Sequence, residues 1–288
     1  MKALAMTAKD TAPAVVDVLL REPGPGEVRV DVEAASVNGF DLAVAAGYVW
    51  DYLPAEFPVV LGRDFAGSVG GDPVAGVVTA PGLGPGPIAE RVVVDAASIV
   101  PRPEGVSAVQ AAAVGLAGVT ALDLVDALEV AAGDVVLVSG ATGGVGAFTV
   151  QLAAARGARV VATARPGEAA EFVRGLGADE VTGYDGTPDG VTKVAHAAGD
   201  VAVLAALLPP GGRLASTLGA TAEQAGRDDV TVTAVHAHYT PEKLAGLLAE
   251  VAAGRLAVPV AATYPLEKAA DALAAFGGGK LGKIVVTP

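Results

Sequence analysis

The stretch Val135-Val136-Leu137-Val138-Ser139-Gly140-Ala141-Thr142-Gly143-Gly144-Val145-Gly146, with Ala147-Phe148-Thr149-Val150-Gln151-Leu152-Ala153-Ala154-Ala155 behind it, decides how this chain folds. A short β-branched run, a glycine turn and an apolar-periodic helix, in that order, describe the opening βα unit of a dinucleotide-binding sheet. Gly143 permits a tight turn, Gly144 lets backbone approach a pyrophosphate, and Gly146 allows the helix to pack closely on the strand. The start of the helix offers unpaired N–H groups and the positive end of its dipole to an anion. A purely structural glycine turn is the alternative.

A second strand is predicted over residues 158–165. An NAD site places Asp or Glu at the end of this strand, about 20 residues past the glycines, to accept the ribose 2′-OH. Here the strand ends in Thr163-Ala164-Arg165, and the first carboxylate is Glu168. A carboxylate would repel a 2′-phosphate, whereas a guanidinium grips one through two parallel hydrogen bonds. The expected cofactor is therefore NADPH rather than NADH. The alternative for Arg165 is a solvated loop cation.

Composition narrows the class. The 288 residues suffice for two modest domains with a substantial core. Hydrophobic residues make up 52% but aromatics only 4%, so Ala, Val, Leu and Gly do the packing. No apolar run is expected to reach the roughly 20 residues that span a bilayer, and residues 1–10 carry no signal-peptide apolar region. Without cysteine, disulfides, thiolate catalysis and cysteine-ligated metal are excluded. A cytoplasmic enzyme is the expectation. The net charge of −13 disfavours nucleic-acid and anionic-membrane partners, and it leaves an anionic cofactor to be held by local groups.

Texture divides the chain. Before residue 110 it reads as β-rich: residues 27–33 alternate strictly, residues 23–26 and 70–73 are turns, and residues 79–87 form a Pro/Gly loop. Beyond that, a helix over 109–128 precedes the glycine unit, and a helix over 168–176 stops at Gly177. Residues 180–182, 201–208, 213–217 and 231–235 supply further strands and helices. This alternation implies a parallel sheet covered on both faces. An amphipathic helix over 241–253, with Thr240 as its N-cap, leads to a tail ending in an apolar strand, 283–286.

Val37-Asn38-Gly39-Phe40-Asp41, Gly62-Arg63-Asp64-Phe65-Ala66-Gly67, Gly118-Val119-Thr120-Ala121, the glycine unit, Gly177-Ala178-Asp179 and the closing Gly282-Lys283-Ile284-Val285 occur in that order. Together they resemble the medium-chain dehydrogenase/reductase superfamily, and within it the zinc-free quinone oxidoreductase-like branch. The resemblance implies an α/β architecture: a GroES-like β-barrel catalytic domain over residues 1–115 and 237–288, and a Rossmann domain over 116–236. It also implies an active-site cleft at their junction and homodimers formed through the Rossmann sheets. Carried over by position, Asn38 and Thr120 would touch the nicotinamide end of NADPH. Thr142, Gly143, Gly144 and Val145 would line the pyrophosphate, Thr163, Arg165 and Tyr184 would surround the adenosine phosphate, and Leu218 and Gly219 would flank the nicotinamide ribose.

Departures from the pattern shape the chemistry. Zinc-dependent members hold their metal with Cys and a Gly-His-Glu segment; Gly62-Arg63-Asp64 stands there instead. Zinc wants tetrahedral N/S ligands, and the chain has three histidines, of which His236 and His238 would share one face of a strand. No metal is expected. Without a Lewis acid to make an alkoxide, the expected reaction is hydride transfer to a quinone or an enone, which already delocalises the incoming charge. Tyr48 and Tyr52 are candidate proton donors, although the family's tyrosine position falls on Val49, and an apolar pocket wall is the alternative. Asp41 and Asp64 read as structural hydrogen-bonders. The competing functions are an enoyl-thioester or polyketide-tailoring enoyl reductase, and a non-catalytic NADPH-binding protein.

Overall fold

A computed structural model describes residues 1–79 and 82–288. Ala80 and Pro81, inside the expected Pro/Gly loop, lie outside the described residues. The chain divides into two compact units, Met1–Leu116 with Tyr239–Pro288, and Ala117–His238.

The first unit opens with strands β1 (Lys2–Met6), β2 (Ala14–Asp17) and β3 (Glu27–Val37), followed by helix α1 (Gly39–Ala45). Strands β4 (Val59–Val60), β5 (Asp64–Val69), β6 (Asp72–Val77), β7 (Arg91–Asp95) and β8 (Ile99–Pro101) come next. Helix α2 (Ala108–Ala127) carries the chain across the division. The sheets have orders β2-β1-β4 and, with later strands, β15 (Val260–Pro265), β16 (Lys283–Thr287), β3, β5, β6, β8, with β7 also on β3. The alternation read in 27–33 holds: β3 exposes every second residue there before its far end is wholly buried. The turn expected at 70–73 contracts to Gly70-Gly71, both left-handed, because Asp72 and Pro73 already pair with β5.

Helix α1 carries no periodic signal in the sequence. It forms because Asp41 reaches back to accept the N–H of Asn38 at 2.8 Å, satisfying a donor at the helix entrance. Helix α2 corrects another expectation: it is 20 residues long with a hydropathy of 1.7, long and apolar enough to cross a membrane. Most of that stretch is buried within the fold, as a core helix requires, and Leu124, Val125 and Leu128 pack beneath the second unit's sheet.

The second unit runs β9 (Val135–Ser139), α3 (Gly144–Ala155), β10 (Arg159–Thr163), α4 (Glu168–Gly175), β11 (Glu180–Thr182), β12 (Lys193–His196), α5 (Val201–Ala206), β13 (Arg213–Ser216), α6 (Ala222–Ala225) and β14 (Thr231–Ala234). All pairings are parallel, in the order β11-β10-β9-β12-β13-β14. This doubly wound order reverses between β9 and β12. Alternate residues serve opposite faces: Val136 and Val138 join one apolar cluster, whereas Leu137 joins another with Leu204 and Leu214.

Back in the first unit, α7 (Pro241–Ala252) begins at Thr240, whose side chain caps Lys243 N–H, and α8 (Ala269–Ala275) precedes β16. His236 and His238 follow β14 and belong to no strand, correcting the shared face expected of them.

Candidate cofactor site

The glycine turn sits at the carboxyl end of β9. Its left-handed residue is Gly140, with φ +83°, so Gly140 and not Gly143 supplies the tight turn. Gly143 has φ −78° and serves as the N-cap of α3, with no side chain capping the helix. Among the described residues, nothing accepts the N–H groups of Gly144, Val145 and Gly146, the orphan donors of a first helical turn. Gly146 does what its place suggested: a Cβ there would lie 2.2 Å from the Gly140 carbonyl oxygen. The arrangement can receive an anion, and a dinucleotide pyrophosphate fits it.

The neighbouring strand ends complete one edge. Thr163, last in β10 and 2% exposed, accepts the Gly140 N–H at 3.0 Å. Its hydroxyl therefore secures the turn. Arg165 lies two residues beyond β10, exposed, with no ion pair among the described residues. Arg174, on α4, is paired with Glu171 at 2.7 Å. Thr142 is half-buried and its hydroxyl has no partner among the described residues. Tyr184 follows β11, 50% exposed, and Leu218 and Gly219 follow β13, with Gly219 left-handed. Because the strands are parallel, these residues all gather at one edge of the sheet. Thr120 lies in α2, almost fully buried.

Asn38, Tyr48 and Tyr52 belong to the first unit. Tyr48 and Tyr52 are highly exposed, and neither hydroxyl has a partner among the described residues. Between them Trp50 donates its indole N–H to Val44 O at 2.8 Å and stacks on Phe57. Asn38 is buried in a polar cluster that sequence reasoning did not foresee. Its Nδ2 donates to Asp64 Oδ1 at 2.9 Å and Ser36 O at 3.3 Å, while Lys283 Nζ donates to its Oδ1 at 2.5 Å. Both amide hydrogens and the amide oxygen are thus engaged. Asp64 also accepts from Ser36 Oγ at 2.7 Å and Leu116 N–H at 2.9 Å. Burial lowers the Lys283 ammonium from its ordinary value, and Asp64 and Asp41 oppose that.

The donor set does not suit zinc. Asp64 is spent on hydrogen bonds, Arg63 lies over the Phe40 ring at 4.4 Å, and cysteine is absent. Among the described residues no three His, Asp or Glu side chains gather to hold a metal.

Comparison with known proteins defines the class. The zinc-binding dehydrogenase family profile matches residues 94–286, and the alcohol dehydrogenase GroES-like domain profile matches residues 24–104. The chain belongs to this family, the medium-chain dehydrogenases/reductases, and is quinone oxidoreductase-like. It is 38% identical to a chloroplast envelope quinone oxidoreductase homolog of Arabidopsis thaliana over 61% of its length, and it spans 57% of that relative. A mycocerosic acid synthase-like polyketide synthase of Mycolicibacterium smegmatis is 32% identical across 92% of this chain, which matches 14% of that protein. Among solved structures, the Coxiella burnetii quinone oxidoreductase aligns with TM-score 0.89 at 28% identity, covering 100% of this chain and 99% of that one. The Thermus thermophilus quinone oxidoreductase, solved also in complex with NADPH, aligns with TM-score 0.83 at 29% identity and complete coverage of both chains. The α/β architecture with GroES-like and Rossmann units follows.

Proposed function

We propose that the second unit binds NADPH and that the chain reduces a quinone or an α,β-unsaturated carbonyl without a metal. The observation that carries this reading is the first turn of α3, whose N–H groups have no acceptor among the described residues, together with Arg165, exposed and without an ion pair among the described residues, just past the strand end where an NAD site would place a carboxylate. When bound, the dinucleotide supplies a hydride from nicotinamide C4. The N–H groups of Gly144, Val145 and Gly146 and the Thr142 hydroxyl hold the pyrophosphate. Arg165 grips the 2′-phosphate, Tyr184 flanks the adenosine, and Leu218 and Gly219 border the nicotinamide ribose. Asn38 and Thr120 are assigned to the nicotinamide end on the family resemblance. Tyr48 and Tyr52 are the candidate proton donors, a role that adds on the order of 10²–10⁴-fold, with a pocket wall as the alternative. A quinone or enone needs no Lewis acid, so holding donor and acceptor face to face supplies most of the acceleration.

Homodimerisation is assigned to the Rossmann sheet, whose edge strand β14 presents backbone donors and acceptors. The cytoplasmic placement belongs to the same proposal. A second reading is favoured by the polyketide synthase relative, whose similarity runs across most of this chain: an enoyl-thioester reductase. NADPH oxidation measured with 1,4-benzoquinone, 9,10-phenanthrenequinone and crotonyl-CoA separates the two. Turnover is expected with the quinones; turnover confined to the thioester favours the second reading. Tight binding without turnover on any acceptor marks a non-catalytic NADPH-binding protein.

A further inference from the structure

The switch point between β9 and β12 draws attention to what closes the strand ends there, because open α/β sheets take their ligands outside that edge. Ser139, His196 and Ser216 stand in one register row across β9, β12 and β13, each the last residue of its strand. His196 is 3% exposed. Its Nε2 lies 3.1 Å from the Gly199 carbonyl oxygen. A carbonyl can only accept, so Nε2 carries the proton and Nδ1 is left as the acceptor. Nδ1 lies 3.0 Å from Ser216 Oγ, whose hydroxyl accordingly donates to it. The same oxygen accepts the N–H of Leu218 at 3.0 Å and of Ala220 at 3.3 Å. Ser139 Oγ adds a bond to Ala198 O at 2.5 Å.

One imidazole therefore fastens two loops at once. Through Nε2 it holds residues 197–200, which follow β12; through Nδ1 and Ser216 it holds residues 217–220, which follow β13. The hydroxyl of Ser216 has its hydrogen and both lone pairs engaged, so the arrangement has a single consistent proton placement. We propose that His196 is a positioning residue for the cofactor: its Nε2–H tautomer locks the loop after β12, at the switch point, to the loop after β13 beside it, and with them part of the sheet edge proposed to carry the dinucleotide. This rests on the reading that NADPH binds at that edge. His196 makes no contact with substrate in this account and acts only through the loops.

The test uses the full chain. Nitrogen-15 NMR of wild-type His196 should report the Nε2–H tautomer; the Nδ1–H tautomer would overturn the proposal outright. His196→Gln retains a donor near Nε2 but removes the acceptor for Ser216, and His196→Asn retains an acceptor near Nδ1. His196→Gln should speed amide exchange at Leu218 and Ala220 in the cofactor-free chain and raise the NADPH Kd, read by fluorescence titration, about tenfold, the scale of one hydrogen bond. Ser216→Ala should do the same. His196→Asn should keep those two amides protected but, having lost the bond to Gly199 O, should still raise Kd about threefold or more. Unchanged exchange and affinity in His196→Gln and Ser216→Ala would refute the role. A wild-type chain that binds no NADPH would instead refute the cofactor reading, while the tautomer and exchange still judge the clamp.

Discussion

Asp41 is fully buried, and both of its oxygens are bound: Oδ2 to Asn38 N–H and Oδ1 to Gly62 N–H, each at 2.8 Å. Burial pushes its carboxyl up to about 6; the two N–H donors and Lys283 pull against that, and the charge of Asp64 adds to it. Because the folded value stands above the ordinary carboxylate value, Asp41 contributes stability that is complete below about pH 4 and is lost as pH rises through about 6. The loss is on the order of 2–3 kcal/mol. Denaturant unfolding of the wild type and Asp41→Asn from pH 4 to 7.5 checks this: the stability difference should shrink as pH rises and flatten above about 6.5. A difference independent of pH would contradict the assignment. Asp41 and Asp64 were read from sequence as structural hydrogen-bonders, and their oxygens do accept from Asn38, Gly62, Ser36 and Leu116. The burial of Lys283 could not be read there, because nothing in Gly282-Lys283-Ile284-Val285 says that the lysine meets Asn38, 245 residues away. His196 escaped notice for the same reason: its partners come from a neighbouring strand and the loops beyond it.

At the level of the element, the glycines of the β9–α3 turn separate into fold and ligand roles. Gly146→Ala would drive a Cβ to 2.7 Å from Ala141 Cα as well as onto the Gly140 carbonyl, so helix and strand must part. A destabilisation of about 1–3 kcal/mol or more is expected, visible as a lowered Tm. Gly143→Ala meets its nearest atom at 3.5 Å with an ordinary negative φ, so Tm should hold while NADPH binding weakens. Equal loss of Tm in both variants would contradict this division. The βα unit was legible because its signal is local, from strand composition through turn to helix. Strand β12 was missed: at four residues, with lysine and histidine at its ends, it offers too little alternation, and only its two parallel neighbours make it a strand. Gly140 was overlooked in favour of Gly143 because spacing cannot tell which glycine turns left-handed.

The whole molecule follows its family. The division into a β-rich first unit interrupted by a parallel-sheet second unit was visible in the change of texture near residue 110 and in the return of an apolar strand at the tail. The donor set near Asp64 predicts that dialysis against EDTA leaves NADPH-dependent quinone reduction unchanged and that the purified protein carries no stoichiometric zinc. Loss of activity on chelation, restored by zinc, would contradict the metal-free account. Under the proposed function a phosphorylated coenzyme adds a charge that this acidic chain must meet locally, and Arg165 is the group proposed to do so. Calorimetric titration of the purified chain with NADPH and with NADH, repeated for Arg165→Ala, tests that most directly. The account predicts saturable binding, tighter for NADPH, with the variant losing about 1.5–3 kcal/mol for NADPH and almost nothing for NADH. Equal affinities in the wild type, equal losses in the variant, or no heat with either coenzyme would contradict it.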